Sequence, residues 1–289
     1  MNRSKLVSLW KIPLRLARNP RGVISRLADE QEDWRHHLLR RHGRTALPTA
    51  KILDLVPQLH EKLTHYTYLV GGAPVIDIAL LKALARGCKR CDYLEIGTWR
   101  GESAVNVADV ARQCVCLTLS KEELRHRGLP ENMIAETGKF LPLRDNISVI
   151  WHNSLTFDFR SLEKKFDLIF IDGDHSYEAV KSDTLNALRC LRDEESILVW
   201  HDYGTSPEHV DHVVLAAILD AVPAAKHSNL VHVSNTQCAL MANRRFPGTL
   251  STFPSIAKNT FTVEIVAERL PEAEPAIIEN DGRADSPRL

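Results

Sequence analysis

Between residues 92 and 221, short apolar runs alternate with stretches whose apolar residues recur every three or four positions. The runs "DYLEI" (92–96), "CVCLTL" (114–119), "ISVIW" (147–151), "FDLIFI" (166–171) and "SILVW" (196–200) read as strands. The fourth is apolar after its acid, as a strand covered on both faces must be. Helical spacing marks 102–112, with Ala104, Val107, Ala108 and Ala111 on one face. It also marks 176–191, with Val180, Thr184, Ala187, Leu188 and Leu191 inward, and 208–221. A polar, helix-leaning stretch covers 120–141. Ahead of this block, 49–66 predicts a helix around Pro57 or two short ones, and 76–86 a helix buried along Ile76, Leu80, Ala83 and Leu84. Behind it, "LVHVSNTQCALMA" predicts two strands about an Asn235-Thr236 turn, and 260–267 a further edge strand.

Strand–helix alternation of this kind predicts an α/β fold, a mostly parallel sheet with helices on both faces. In such sheets ligands bind beyond the carboxyl ends of the strands. Five ends here are polar or glycine-rich: Glu95 to Gly101, Thr118 to Ser120, Asn153 with Ser154, Asp172 to His175, and His201 to Tyr203. Turn chemistry alone does not account for all five.

The whole chain changes this picture at its two ends. Lys+Arg and Asp+Glu each number 37, so the formal charge is zero and gives no argument for nucleic acid. Residues 1–28 nevertheless carry seven basic side chains and no acid, and the end after Leu270 is mostly acidic. The expected organisation is a basic, partly helical arm over 1–48, cut by Pro13, Pro20 and Gly22, a catalytic-type domain over 49–250, and an extension over 251–289. Leu6, Leu9, Trp10 and Leu14 among basic residues fit peripheral membrane contact, against a solvated arm as the plainer reading. No apolar run reaches the length of a membrane span, and a cytoplasmic location follows by default. The cysteines should then be reduced. Cys88, Cys91, Cys114 and Cys116 invite a zinc reading, but their spacing is irregular and the second pair suits a small-residue strand.

The chemistry is concentrated in three motifs. "EIGTWRGES" has an acid at a strand end, then Gly97 and Gly101 before a helix start. It fits a dinucleotide fingerprint poorly, because Trp99 stands at the middle glycine. Glu95 would repel a pyrophosphate and attract an ammonium. "IDGDHSY" and "WHDYG" add acids and imidazoles at two more ends. Together these motifs resemble the class I S-adenosylmethionine-dependent methyltransferases, and most the small-molecule O-methyltransferases of the cephalosporin-cluster and macrolide-sugar kind, over about residues 68–245.

That resemblance implies a Rossmann-like seven-stranded sheet whose last strand is antiparallel beside the fifth. It implies that Gly97, Thr98, Trp99 and Gly101 wrap the methionine part of the cofactor, near Glu95. It puts Ser120 where relatives hold the ribose with an acid, although Ser120 with Glu123 also fits a helix capping box. It puts Asn153 and Ser154 beside the adenine. Asp172 and His175 have the spacing of a metal ligand and a general base in the macrolide-sugar branch. Where that branch completes a magnesium site with two adjacent acids, this chain has His201 and Asp202. Asp172 and Asp202 are therefore the metal candidates, and His175, then His201, the candidate bases. The alternative for His175 is a structural hydrogen bond to Asp202 or Tyr203. The expectation is O-methylation of a small hydroxylated acceptor, a sugar among the candidates, by a chain that is compatible with an oligomer. A nicotinamide-dependent oxidoreductase and a non-catalytic cofactor-binding module are the competing classes.

Overall fold

The computed structural model describes residues 20–206, 209–243, 246–250 and 256–270. In chain order the elements are α1 (Pro20–His42), β1 (Thr49–Ala50), α2 (Ile52–Leu55), α3 (Val75–Gly87), β2 (Asp92–Ile96), α4 (Glu102–Val107), β3 (Gln113–Thr118), α5 (Lys121–His126) and α6 (Glu131–Glu136). They continue with β4 (Ile147–Trp151), β5 (Leu168–Ile171), α7 (Tyr177–Cys190), β6 (Ile197–Trp200), α8 (His212–Ala221), β7 (Leu230–Val233), β8 (Ala239–Met241) and β9 (Gly248–Thr249). The sheet order is β4-β3-β2-β5-β6-β8-β7-β1-β9.

The five strands from β4 to β6 are parallel, and β8 runs antiparallel beside β6. That is the expected arrangement, extended by two short strands. β1 adds to β7, and β9 adds to β1. The register aligns Leu117, Ile96, Ile171 and Trp200 across neighbouring strands. The next position on each strand is Thr118, Gly97, Asp172 and His201. One apolar row thus closes the core, and the row just beyond it carries the polar chemistry.

Three expectations are corrected. Residues 49–66 hold no long helix: α2 is one turn, and the chain then runs without helix or strand to residue 74. Pro57 disfavours a helical residue before it. The segment's backbone is paired instead with side chains of α4. Thr64 exchanges hydrogen bonds with Asn106, and Glu102 accepts from both the N–H and the hydroxyl of Thr67. From Ile256 on, the chain forms a second compact unit, and within it residues 260–267 form no strand, although Phe261, Val263 and Ile265 alternate as a strand would.

The arm differs too. Pro20 does not cut it but stands at the first position of α1, where its missing N–H costs nothing. Pro13 and the apolar residues proposed for membrane contact lie outside the described residues. Among the described residues no helix is long and apolar enough to cross a membrane. Later in α1, Leu38 is fully buried and Trp34 stacks on Tyr177 at 4.5 Å. Asp220 on α8 accepts from His42, His37 and Tyr177 and pairs with Arg41. Burial would raise this carboxyl, but Tyr177, the two imidazoles and Arg41 hold it at about 2.

The loop after α1 is fixed from the sheet. Tyr203 is 1% exposed, and its hydroxyl accepts the backbone N–H of Leu47 at 2.8 Å. Tyr203→Phe keeps the ring and orphans that N–H. The expected loss is about 1–3 kcal/mol, seen as a melting temperature lower by roughly 2–4 °C per kcal/mol. Unchanged melting would mean that the loop repairs the bond elsewhere.

Candidate active site

A cleft opens at the strand ends between β2 and β5. Glu95, Gly97, Trp99, Gly101 and Asp172 line it, with Gly71, Gly72, Arg100, Glu102 and Ser103. Glu95 is 1% exposed and accepts hydrogen bonds from Tyr93, Thr98 and Ser103 at 2.6–2.9 Å. Burial outweighs these bonds and pushes its pKa up to about 7. Three carboxylates line the cleft, and Glu102 is paired with Arg100; the other two, Glu95 and Asp172, suit a cation and oppose a pyrophosphate. That argues against the dinucleotide reading.

Gly97 and Gly101, which line the cleft, also have a structural part. Gly97 has φ +97, and a Cβ there would lie 2.3 Å from the backbone of Asp172 and Gly173. Its bareness therefore lets β2 and β5 converge at the strand ends, before any ligand is considered. Gly101 caps α4 in the left-handed region, with Leu141 pressed against it.

The roof of the cleft was not legible as function. "VGGAP" reads as a plain loop, but Arg100 and Glu102 strap it down. The Arg100 guanidinium pairs with Glu102 at 3.1 Å and donates to the carbonyls of Leu69 and Val70. Arg100 also covers the Trp99 ring at 4.3 Å.

Four of the cofactor-binding candidates do not line this cleft. Thr98 turns its hydroxyl inward to Glu95. Ser120 forms both halves of a capping box with Glu123, so its side chain is committed to α5. Asn153 accepts from Leu155 N–H within the turn after β4. Ser154 faces Asp183, a carboxyl on α7 that burial pushes up to about 7 against the pull of this hydroxyl.

The ends of β5 and β6 hold the second part of the site. His201 is 8% exposed and is surrounded by three carboxylates. Its Nε2 lies 3.1 Å from Asp77, and its Nδ1 lies 3.1 Å from Asp172 and 3.0 Å from Asp202. Burial disfavours the charged ring, but Asp172, Asp202 and Asp77 outweigh it and hold His201 protonated. An imidazolium has no lone pair, so this environment disfavours His201 as a base. Asp77 is fully buried in the first turn of α3, and burial raises its pKa despite His201. It escaped the sequence reading because an acid in a helix's first turn needs no further reason.

His175 differs from His201 in exposure: its side chain is 54% exposed. Its Nε2 lies 2.7 Å from Asp202. Burial works against its charge, but the Asp202 hydrogen bond and the charges of Asp202 and Asp172 prevail and raise its pKa. Asp202 itself has φ +54, a conformation uncommon outside glycine. Burial would raise its carboxyl; His175 and His201 lower it well below the usual range.

Asp172, His175 and Asp202 bring one ligand atom each within 4.8 Å of one another. The set does not fit magnesium, which prefers oxygen ligands in an octahedron. One of the three donors is nitrogen, and both carboxylates already face the His201 charge. No cysteine belongs to a metal-type cluster among the described residues.

The family model described as a methyltransferase domain matches residues 94–203. That stretch of the chain is similar to a methyltransferase domain. The match begins in β2 and ends at Tyr203, so it takes in the first two motifs whole and the third as far as Tyr203. No curated protein matches the chain. Solved structures with similar folds include cofactor-bound Rv0187 from MTB, at 21% identity, TM-score 0.43, 64% of this chain and 84% of that one. The Bacillus cereus O-methyltransferase in complex with SAH has 17% identity, TM-score 0.43, and coverage of 66% and 87%. The O-methyltransferase TomG from Streptomyces achromogenes in complex with SAM has 18% identity, TM-score 0.42, and coverage of 74% and 98%.

Two outcomes are expected at these strand ends. Gly97→Ala, strained in φ and in contact with backbone, should cost more than about 1 kcal/mol, read as a lower melting temperature without any ligand. A neutral melting effect would show that β2 and β5 can part. Asp202→Asn should lower the His175 titration midpoint, followed by NMR of the ring protons, because it removes the partner that raises it. A midpoint that stays put or rises would mean that Asp202 does not govern His175.

Proposed function

We propose that the chain is an S-adenosylmethionine-dependent O-methyltransferase acting on a small hydroxylated molecule, with His175 as the base. The observation that supports this most is the His175–Asp202 pair at 2.7 Å beside a cleft lined by Glu95, Asp172 and glycine backbone. S-adenosylmethionine supplies an electrophilic methyl group on a positively charged sulfur. Glu95 and Asp172 give the cleft the negative charge that a cationic ligand needs. Binding a cation there favours ionised Glu95, whose protonated form is otherwise populated up to about pH 7.

On the acceptor side, Asp202 holds the His175 ring through Nε2–H. That tautomer leaves Nδ1 with the lone pair. Nδ1 would take the proton that the acceptor hydroxyl loses on methylation, with the methyl group supplied by the cofactor. Orientation of the reacting groups can account for about 7–11 kcal/mol of the barrier. The base adds roughly 10²- to 10⁴-fold. His201 contributes a fixed positive charge that holds Asp172 and Asp202 in place, so no magnesium is needed between them. A sugar hydroxyl is within this acceptor class.

The test uses the parent chain and His175→Ala with a panel of hydroxylated acceptors. The variant should bind S-adenosylmethionine as the parent does and turn over about 10²-fold or more slowly. The parent's rate should rise with pH through a value above 6.5, because the base form lies above the raised pKa of His175. Chelator-treated protein should turn over equally with and without added magnesium. Parental turnover by His175→Ala would make the imidazole structural. A requirement for magnesium would return Asp172 and Asp202 to the role of metal ligands. Binding with no transfer to any acceptor would favour a non-catalytic module.

A further inference from the structure

The end of α1 brings together a second set of ligand-type side chains that methyl transfer does not use. His37 Nε2 lies 3.1 Å from Asp220 Oδ2, and His42 Nε2 lies 2.8 Å from Asp220 Oδ1. All three ligand atoms fall within 4.8 Å of one another. The Asp220 side chain is only 3% exposed, and that of His42 only 11%. The cluster joins two elements far apart in sequence, since both imidazoles belong to α1 and the carboxylate to α8.

The two imidazoles are not required to satisfy this carboxylate. Tyr177 donates to Oδ2 at 2.7 Å, and Arg41 reaches Oδ1 at 2.6 Å. Each oxygen therefore has a donor without either histidine. Two imidazole nitrogens turned onto one buried carboxylate have instead the composition of a borderline-soft cation site. Zinc takes imidazole nitrogen and carboxylate oxygen at about 2.0–2.2 Å, in a tetrahedron whose corners are then roughly 3.3–3.5 Å apart. His42 Nε2 lies 2.8 Å from Oδ1, shorter than such an edge, and His37 Nε2 meets the other oxygen, so the His37 ring has to turn from Oδ2 towards a metal held on Oδ1.

We propose that His37 Nε2, His42 Nε2 and one oxygen of Asp220 form a binding site for a zinc-class divalent cation, which pins α1 onto α8. Water takes the fourth corner. Arg41, whose side chain is 61% exposed, gives up Oδ1 to the metal and moves into solvent. Tyr177 stays on the second oxygen and is itself held by Lys181 at 3.0 Å. Such outer partners fix the orientation of a ligating carboxylate. The role is structural: the metal adds to the contacts that already hold α1 on the domain, where Trp34 stacks on Tyr177.

Full-length protein, stripped with a chelator and dialysed, is titrated with zinc chloride by calorimetry. A parallel titration uses cobalt(II), whose visible bands report a four-coordinate site. The expected result is one equivalent bound at this cluster, with a rise in melting temperature. His37→Gln and His42→Gln should each weaken that equivalent by more than about 10-fold, the smallest loss typical even of outer-shell partners. Both variants should keep the parent's circular dichroism without metal, which separates lost binding from lost folding. Asp202→Asn, which disrupts the other ligand-type cluster, should leave the equivalent in place. A parent chain that takes up no zinc overturns the proposal. So does an equivalent that survives in both histidine variants, or one that Asp202→Asn removes.

Discussion

Three carboxylates share one buried imidazolium, and the catalytic face is arranged around that arrangement. Asp77 comes from α3, Asp172 from the end of β5, and Asp202 from the residue after His201. Burying any of these charges alone would be costly. Each is tolerable because the others are present. The cluster therefore ties a helix to two strand ends and leaves little freedom in where Asp172 and Asp202 point. Asp202 stays in an unfavourable backbone conformation because two imidazoles hold its carboxylate. Strain of this kind persists where surrounding contacts over-determine it.

The division between His201 and His175 follows from the same cluster. Both rings contact Asp202. One is enclosed by acids on both nitrogens and keeps its proton. The other meets the carboxylate through one nitrogen and is half exposed. A pair of histidines three carboxylates deep would otherwise titrate together and be useless as a base near neutral pH. Asymmetric enclosure separates a permanent cation from a group that can exchange a proton.

Much of this was readable from residue order, and the unreadable part has a common cause. Each central strand was visible as an apolar run, and the parallel register then had to bring Gly97, Asp172 and His201 to one level. Chemistry placed at strand ends is thus legible wherever the strands are. Pairing between distant segments is not. Asp77 sits in a helix whose pattern explains it as a first-turn acid, and only the fold brings it to His201. Segment 56–72 lacks helix because its backbone is satisfied by Asn106 and Glu102 on α4, a relation with no local signature. Ser120 shows the opposite case. Its capping partner lies three residues away, so the structural role was legible from spacing alone.

Gly97 illustrates why a motif's meaning has to be taken from contacts. The glycine after a strand-end acid is easily assigned to ligand approach. Here the space it saves is already occupied by the backbone of Asp172 and Gly173. The bare Cα brings one acid-bearing strand end against another, so Glu95 and Asp172 come to line a single cleft. It sets the spacing of the two carboxylates, and their combined charge, set against the His201 imidazolium, decides what the cleft can hold.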